Sequence, residues 1–382
     1  MLPDYKGGSI VNLMSSISRA LGARSSYQPL KGLPPKELTG FRNIVLIVVD
    51  GLGYEYLASI GRKTVLASYL RGHITTVFPA TTTAAITTFA TGLAPQEHGL
   101  TGWFMHAKEL GTVIIPLQFS PRLGPVSLSS FGVDPKIFFD QKPIFPRLKA
   151  DSYVITTMGI DSTDYNTALF GHPKKLLYNS LPNFFSQISR AVHLSNRRKF
   201  VYAYWPDFDL ICHAKGTKSR ELKDHLFYFD RQFALFLRSM KDSLVIVTAD
   251  HGMIDVPSKN LLQLRDHPKL QETLTLPLCG EARCPFCYVH PHKARQFERY
   301  VRTKLARFCS LHKSSELVAK QVFGIRKPHP KLYDRIGDYV LLMKDGFALK
   351  DSLLSRKRYS HPGRHGGVSS HEMLVPLIVV KK

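Results

Sequence analysis

The chain of 382 residues lacks the features of membrane proteins and of disulfide-stabilised proteins. No run of its sequence approaches the roughly 18 consecutive apolar residues of a membrane-spanning helix. The N-terminal stretch MLPDYKGGSIVNLMSSISRALG has no basic start followed by an apolar segment, so we expect a short amphipathic helix and no signal peptide. The five cysteines are few and odd in number, which argues against a disulfide framework. We therefore expect a soluble, cytoplasmic protein.

The chain is also poor in acidic residues. It has 29 aspartates and glutamates against 52 lysines and arginines, which gives a formal net charge of +23. Such an excess favours anionic partners such as nucleotides, nucleic acids or phospholipid surfaces. No zinc-finger spacing, RNA-recognition motif or other nucleic-acid module accompanies the charge. The charge alone therefore specifies no partner, and peripheral contact with an anionic surface is left open.

Three of the cysteines, Cys279, Cys284 and Cys287, lie close together and are followed by His290 and His292. A small zinc site or a redox pair is one interpretation of this cluster. The second half of a C-x₂-C…C-x₂-C pattern is missing, however. The preferred interpretation is a set of reduced cysteines beside a buried strand.

Short apolar runs that are typical of strands buried on both faces of a sheet recur along the chain. They are NIVLIVVD (43–50), SYVITTMGI (152–160), KFVYAYWPD (199–207), SLVIVTAD (243–250) and EMLVPLIVV (372–380). Helical patterns lie between them, for example over residues 219–240. This alternation predicts an α/β fold with a doubly wound, mostly parallel central sheet flanked by helices.

Two stretches fit this core less well. Residues 104–150 are rich in proline, glycine and phenylalanine, and residues 255–345 contain the cysteine cluster and basic helical patterns. We interpret both as insertions that form a cap over the carboxyl edge of the sheet, where α/β proteins place their sites. We expect residues 1–382 to form a single catalytic domain that carries these insertions.

Acidic residues and histidines follow several of the predicted strands. The positions are Asp50 after the first run, Asp209 and His213 after the third, Asp250 and His251 after the fourth, and His361, His365 and His371 before the last. A single aspartate at such a place could be the N-cap of the next helix. Because the carboxyl ends of parallel strands meet at one edge, we expect the whole set to lie together there.

Mixed carboxylate and imidazole ligands suit Zn²⁺, with Mn²⁺ or Fe as alternatives. Six or seven ligands exceed what one tetrahedral ion needs, whereas two divalent ions about 4 Å apart would use them all and would catalyse in-line displacement at phosphorus. The segment TTVFPATTTAAITTFATG, residues 75–92, carries eight threonines and ends like a helix. A hydroxyl at the start of that helix, beside a metal, could be the nucleophile, since a helix N-terminus favours phosphate.

With these residues the sequence resembles the alkaline phosphatase superfamily, and within it the type I phosphodiesterase/nucleotide pyrophosphatase family. The resemblance covers about residues 43–103, 199–252 and 361–380. The motifs that carry it, in chain order, are VVDGLG, FPATTTAAITTFATGLAPQEHGLTGW, DFDLICHAKG, TADHG and RHGGVSSHEMLVPLI. The resemblance implies an alkaline-phosphatase-like fold and two bound divalent ions.

The resemblance also implies a ligand set for each ion. The first ion would be held by Asp50, Asp250 and His251 with the nucleophile, and the second by Asp209, His213 and His365. His361 and His371 are the alternatives to His365, which is chosen because an HGG pattern shortly before the last strand is typical of the family.

The nucleophile of the family precedes the glycine of the closing T-G by ten residues. Counting back from Gly92 leads to Thr82, and the threonines on either side of it are the alternatives. One feature departs from the better-known diesterases, in which Phe-Pro follows the nucleophile directly. Here Phe78-Pro79 precedes it, so no residue is assigned to orient the phosphate.

The function implied is a two-metal phosphoric ester hydrolase, a phosphodiesterase or nucleotide pyrophosphatase that acts through a threonyl-phosphate intermediate. Its partner would be a small phosphate ester such as a nucleotide. A phosphomonoesterase, or a phosphotransferase or mutase of the same superfamily, is the alternative. From another class, an inactive hydrolase scaffold could bind a polyanion, either nucleic acid or an anionic membrane, through its basic surface.

Overall fold

A computed structural model of the chain describes residues 1–124, 126–353 and 361–382. The strands in this part of the chain are β1 (Asn43–Val49), β2 (Leu70–Thr75), β3 (Met105–Ala107), β4 (Thr112–Ile115), β5 (Ser120–Pro121), β6 (Asp151–Thr157), β7 (Lys174–Tyr178), β8 (Lys199–Trp205), β9 (Ser243–Thr248), β10 (Ile254–Asp255), β11 (Leu261–Gln263), β12 (Cys279–Glu281), β13 (Cys284–Cys287), β14 (Cys309–Lys313), β15 (Tyr339–Met343), β16 (Ala348–Lys350), β17 (Gly363–Arg364) and β18 (Leu374–Lys381).

The α-helices of the same residues are α1 (Ile10–Ala20), α2 (Pro35–Thr39), α3 (Tyr54–Ser59), α4 (Val65–Ser68), α5 (Thr82–Thr91), α6 (Pro95–His98), α7 (Pro135–Phe139), α8 (Asp164–Phe170), α9 (Leu181–His193), α10 (Asp207–Lys215), α11 (Arg220–Leu237), α12 (Pro268–Gln271), α13 (Ala294–Tyr300), α14 (Ser314–Ala319), α15 (Leu332–Ile336) and α16 (Ser370–Met373). Within the described ranges, none of these helices has the length and apolar character needed to cross a membrane. The cytoplasmic location stays a prediction.

A seven-stranded sheet in the order β2-β18-β9-β1-β8-β6-β7 forms the centre of the fold. Strand β1 lies between β9 and β8 and pairs in parallel with both, so that Leu46 is opposite Ile246 and Tyr202. All seven residues of β1 are buried, as expected for a parallel sheet covered on both faces. The predicted α/β fold with a mainly parallel central sheet is confirmed.

Three strands of this sheet differ from the sequence prediction. Residues 374–380 of the run EMLVPLIVV lie in β18, which is antiparallel to both of its neighbours, whereas the first two residues of the run belong to α16. Its apolar residues could not reveal this, because a strand buried on both faces looks the same in either direction. Strands β2 and β7 were not predicted, because both lie at an edge of the sheet and are partly exposed and polar in sequence.

Helix α1 is covered on all sides and not only along one apolar face. Ten of its eleven residues are buried, including polar ones whose hydrogen bonds go to the following loop. The Ser15 hydroxyl donates to the carbonyl of Tyr27 at 2.7 Å, and the Ser16 hydroxyl accepts from the amide of Leu30 at 2.9 Å. The loop therefore satisfies polar groups that a surface helix would direct to water.

The two segments interpreted as insertions form smaller sheets that meet each other. Residues 105–121 form the sheet β3-β4-β5, and a four-stranded sheet in the order β12-β13-β15-β14 lies within residues 279–343. The amide of Gly280 in β12 donates to the carbonyl of Phe104 at 2.7 Å. A Cβ atom at Gly102 would lie 2.6 Å from Gly280 Cα, so this approach requires glycine. The division into one catalytic domain with two insertions stays a prediction.

A buried ion pair joins the four-stranded sheet to the central sheet. Arg283, fully buried, donates from Nε and Nη2 to the carboxylate of Glu372 at 3.0 and 2.7 Å, and from Nη1 to the carbonyls of Lys344 and Phe347. Burial alone would raise the pKa of Glu372, but the charge and hydrogen bonds of Arg283 outweigh it and lower the pKa. This stabilisation is present above the unfolded pKa of about 4.3 and is lost as pH falls through the lower pKa of the folded state.

Substitution of Glu372 tests the importance of this pair. Glu372→Gln should destabilise the protein by about 3–5 kcal/mol, because a buried guanidinium loses its charge partner. The free energy of unfolding would be measured by urea titration at neutral pH. The control is Arg220→Met, which removes the exposed Arg220–Asp224 pair and should leave the midpoint unchanged. Equal stability of Glu372→Gln and the parent protein would contradict the prediction.

Candidate active site

The first cluster of predicted site residues lies at adjacent ends of β1 and β9. His251 Nε2 is 3.4 Å from Asp50 Oδ1 and 3.4 Å from Asp250 Oδ2. Asp250 is no helix cap: its Oδ1 accepts the amides of Gly51 and His251 at 3.1 and 2.9 Å. The parallel pairing of β1 with β9 brings these residues together, because both strands end at the same edge.

The second cluster comes from α10 and from the segment before β18. Asp209 and His213 are one turn apart on α10, with His213 Nε2 3.4 Å from Asp209 Oδ2. His213 Nδ1 donates to the carbonyl of Gly363 at 2.8 Å, and His365 Nδ1 donates to the carbonyl of Ala80 at 3.1 Å. These bonds leave the Nε2 lone pair of each imidazole available to a metal ion.

Two groups of ligand atoms each lie within 4.8 Å of one another in the described chain: Asp50, Asp250 and His251, and Asp209, His251 and His365. His251 belongs to both, and its ring stacks on that of His365 at 3.8 Å. His213 contacts Asp209 but belongs to neither group.

The two alternative histidines lie farther out. His361 is exposed, 5.6 Å from His213 between ring centroids. His371 is on the surface, where its Nδ1 pairs with Glu55 Oε2 at 3.0 Å.

The electrostatics of these clusters suit a divalent cation. Asp50 Oδ1, Asp209 Oδ1 and Asp250 Oδ2 are buried and have no hydrogen-bond partner among the described residues. Burial, followed by the charge of Asp250, raises the pKa of Asp50 and of Asp209 well above the usual value. Burial also lowers the pKa of His213 to about 4. Unpartnered carboxylate oxygens beside neutral imidazoles are a donor set that fits Zn²⁺.

Thr82 is the first residue of α5 and faces the first cluster. Its Oγ1 lies 3.1 Å from His251 Nε2, and the helix ends at Gly92, whose φ of 74° is left-handed. The structure therefore brings Thr82, Asp50, Asp250, His251, Asp209, His213 and His365 to one edge of the sheet.

Two other threonines of α5, Thr87 and Thr91, have structural partners, whereas the buried hydroxyl of Thr83 has none among the described residues. The hydroxyls of Thr87 and Thr91 donate to the carbonyls of Thr83 and Thr87, four residues earlier, at 2.6 and 2.7 Å. Both side chains are buried, so these bonds satisfy hydroxyls that would otherwise lack partners. The abundance of threonine thus has a packing explanation, and only the first turn faces the site.

The family model described as type I phosphodiesterase / nucleotide pyrophosphatase matches residues 44–368. The chain belongs to this family. Because the family hydrolyses phosphoester bonds, the chain is a hydrolase of that class. No curated protein matches the sequence.

Solved structures of two kinds of protein share the fold. Murine ectonucleotide pyrophosphatase/phosphodiesterase 5, in an inactive form in complex with AMP, is 18% identical over 87% of each chain with a TM-score of 0.66. The human protein of the same name is 17% identical over 88% of this chain and 87% of its own, with a TM-score of 0.67. Phosphonoacetate hydrolase from Sinorhizobium meliloti, in complex with phosphonoformate, is 18% identical over 89% of this chain and 90% of its own, with a TM-score of 0.61.

Two further side chains complete the site of this phosphodiesterase-family chain, and sequence reasoning missed both. Glu281, from β12, accepts the Thr81 hydroxyl at 2.5 Å and the amide of Trp103 at 2.9 Å, and burial raises its pKa to about 7. The hydroxyl of Tyr204, in β8, donates to Asp50 Oδ2. No local sequence pattern indicated Glu281, because its partner Thr81 lies 200 residues away in the chain. Tyr204 is the first residue of the YWPD segment (204–207), and its register opposite Val48 of β1 was the available clue.

The cysteines of the cluster are not among the grouped metal-ligand residues of the described chain, although Cys279 lines the same cavity as Asp50 and Asp209. Cys279, Cys284 and Cys287 are free and buried in β12 and β13. In the described ranges, neither group of metal-ligand atoms includes a cysteine. This arrangement agrees with the preferred interpretation of reduced cysteines in a buried strand.

Two cavities meet at Thr82. The larger, of about 800 Å³, is lined by Asp50 of the first cluster, by Asp209, His213 and His365 of the second, and by apolar side chains that include Trp103, Phe104 and Leu278. The smaller, of about 240 Å³, is mainly apolar and is lined by Ile86 and Tyr202 among others. The larger cavity therefore has room for a substrate that contacts Thr82 with one group and the aromatic wall formed by Trp103 and Phe104 with another.

Removal of one site carboxylate should stabilise the metal-free protein. Asp50→Asn should raise the free energy of unfolding by about 0.5–2 kcal/mol in the presence of a chelator, because mutual repulsion and burial of charge are reduced. Added Zn²⁺ should then stabilise the variant less than the parent protein. Thermal unfolding with and without metal is the measurement, and the exposed Asp224→Asn is the control. A metal-free variant less stable than the parent protein would contradict the prediction.

Proposed function

We propose that the chain hydrolyses a phosphodiester or pyrophosphate bond of a small nucleotide-like substrate, through a covalent phosphoryl intermediate on Thr82. The observation that carries this proposal is the position of the Thr82 hydroxyl. It lies at the first residue of α5, 3.1 Å from His251 Nε2, beside two groups of potential metal ligands. A hydroxyl in such a place combines a nucleophile with a helix N-terminus that favours the phosphoryl anion.

The proposed ligand sets follow the two clusters. Asp50, Asp250 and His251, with Thr82, would hold one divalent ion, and Asp209, His213 and His365 would hold the second. Bound ions, with Zn²⁺ as the first choice, would lower the pKa of the attacking hydroxyl and neutralise the phosphoryl group. Support comes from the three carboxylate oxygens without partners and from the two imidazoles whose Nδ1 atoms are engaged elsewhere.

The residues of the chain would act in two displacements. In the first, the Thr82 hydroxyl loses its proton to solvent and Oγ1 bonds to phosphorus as the bond from phosphorus to the leaving oxygen breaks; the leaving group takes up a proton from solvent. In the second, water attacks phosphorus, the Thr82–phosphorus bond breaks and the hydroxyl is restored. Amides of the first turn of α5 would donate to the phosphoryl oxygens in both steps. Glu281, which binds the N-cap Thr81, would hold the start of α5 in place.

The lining of the larger cavity and the ligands of the structural relatives favour a small organic phosphate as substrate. The larger cavity combines Trp103 and Phe104 with charged groups, which fits a planar organic group attached to a phosphate. The structures of similar fold contain AMP and phosphonoformate, both small phosphoryl or phosphonyl compounds. The match to the type I phosphodiesterase / nucleotide pyrophosphatase family also favours the diesterase branch.

The alternative from another class is an inactive scaffold that binds a polyanion. The net charge of +23 favours it. The presence of all seven predicted site residues at one edge opposes it. Salt dependence separates the two: polyanion binding should weaken steeply as salt rises, whereas turnover should depend on the metal and on Thr82.

The first test is the loss of the nucleophile. Thr82→Ala should lower kcat for an aryl phosphate diester by at least about a thousandfold while the metal content stays the same. Thr81→Ala is the matched control, because it removes a neighbouring hydroxyl that bonds Glu281, and it should lower kcat about tenfold or less. Near-normal turnover by Thr82→Ala would show that Thr82 is not the nucleophile.

Metal analysis tests the ligand sets. Asp209→Asn or His213→Ala should reduce bound metal from about two ions per chain to about one, measured by elemental analysis after dialysis. His371→Ala, on the surface, should leave the content at about two. Unchanged metal in both site variants would remove Asp209 and His213 from the set.

The choice of substrate branch needs a paired assay. An aryl phosphate diester and the matching monoester would be compared with Zn²⁺, Mn²⁺ or a chelator, and with an added acceptor alcohol. Preference for the diester, release of free product and loss of activity with the chelator are expected. Preference for the monoester would select the phosphomonoesterase, and transfer to the alcohol would select a phosphotransferase.

A further inference from the structure

Arg364 is a buried cation that the proposed mechanism has not used. It lies in β17, which pairs with β10, directly before the proposed metal ligand His365. Its side chain is only 8% exposed. Nε and Nη2 are both buried and have no hydrogen-bond partner among the described residues.

Other deeply buried arginines of the chain have acidic partners. Arg283 is bound by Glu372, Arg335 contacts Glu109 at 3.2 Å and Arg122 contacts Asp351. In the described chain, Arg364 has no carboxylate within ion-pair distance. An unpaired guanidinium is costly to bury, so its retention at this position needs a partner that is not part of the described chain.

The surroundings of Arg364 point to the site. Arg364 lines the larger cavity with Thr82, Asp209 and Glu281. Arg364 stands between Gly363, whose carbonyl accepts from His213 Nδ1, and the proposed ligand His365, which places it beside the second cluster. Lys350, about half buried, is another cation of the same wall. Arg364 and Lys350 are therefore two cationic side chains in the lining of the cavity that also contains Thr82.

We propose that Arg364 binds a phosphate oxyanion of the substrate. A guanidinium presents its N–H donors as a planar fork that matches two oxygens of one phosphoryl group, and the two unpartnered nitrogens, Nε and Nη2, form one edge of that fork. The inference rests on the proposed function for the identity of the anion as part of a phosphate ester. It assigns the phosphate-orienting role that the altered Phe78-Pro79 lead-in leaves without a residue.

The anion has two possible sources in a nucleotide substrate. It is either the reacting phosphoryl group itself or a second phosphate joined to it. Both groups offer anionic phosphoryl oxygens that accept hydrogen bonds from a guanidinium. Probes with one and with two phosphoryl groups distinguish them.

The experiment measures anion binding without turnover. Orthophosphate and methylenediphosphonate, a non-hydrolysable compound with two phosphoryl groups, would be titrated calorimetrically into the metal-loaded protein at equal free metal. Arg364→Gln should weaken the binding of at least one probe by about 10- to 100-fold. Equal weakening of both probes would place Arg364 on the reacting phosphoryl group, and weakening of methylenediphosphonate alone would place it on a neighbouring phosphate.

Controls separate a contact from a general effect. Lys350→Gln removes a cation from the same wall and should change both affinities less than about threefold. Arg364→Lys keeps the positive charge but loses the planar set of N–H donors, so it should weaken anion binding to an intermediate degree. This variant replaces Arg364→Gln in the titrations if Arg364→Gln does not fold. Because Arg364 has no partner among the described residues, Arg364→Gln should keep its metal content and should not lower Tm.

The outcomes also separate this inference from the proposed function. Unchanged affinity for both probes in Arg364→Gln, or equal losses in Lys350→Gln, would overturn the role of Arg364. A protein that binds orthophosphate through Arg364 yet hydrolyses no ester would overturn the proposed function only. Diester hydrolysis at the parent kcat/KM in Arg364→Gln would overturn this inference only.

Discussion

The mutual repulsion of three buried carboxylates is the constraint on which the site depends. Asp50, Asp209 and Asp250 converge at one edge of the sheet, each with an oxygen that no described group binds. In a protein interior such charges are unfavourable unless a cation accompanies them. The fold nonetheless holds them in place through the parallel pairing of β1 with β9 and through the amides that orient Asp250. The arrangement is therefore a site prepared for metal, at the expense of stability without it.

Strand β12 adds a side chain to the site from a distant part of the chain. Strand β12 brings Glu281 to the start of α5, and the aromatic wall of the larger cavity comes from residues 103 and 104 together with this strand. The buried pair of Arg283 with Glu372 joins the same sheet to the segment before β18. Glu281 and Arg283, two residues apart, thus join the β12–β13 segment both to Thr81 at the start of α5 and to Glu372 before β18.

Prediction from the sequence was most successful where one strand or helix carries its own signal. The apolar runs of β1, β8 and β9 predicted strands buried on both faces, and the acidic residues and histidines that follow them indicated the carboxyl edge of the sheet. The direction of β18 was not accessible, because burial on both faces is independent of direction. Strands β2 and β7 were missed, because edge strands tolerate exposed polar residues, which interrupt the apolar pattern used to predict a strand.

The sequence by itself determined the α/β class and the family, and it singled out the candidate residues that converge at one edge of the sheet, because buried strands and strand-end motifs are local patterns. Only the tertiary structure decided which partners those residues have. It placed Thr82 beside His251, brought Glu281 across 200 residues to Thr81 and left Arg364 buried without a partner in the described chain. The physical reason is that hydrogen bonds and charge pairs depend on distance in space. That distance is set by sheet register and cap packing, which no local pattern encodes.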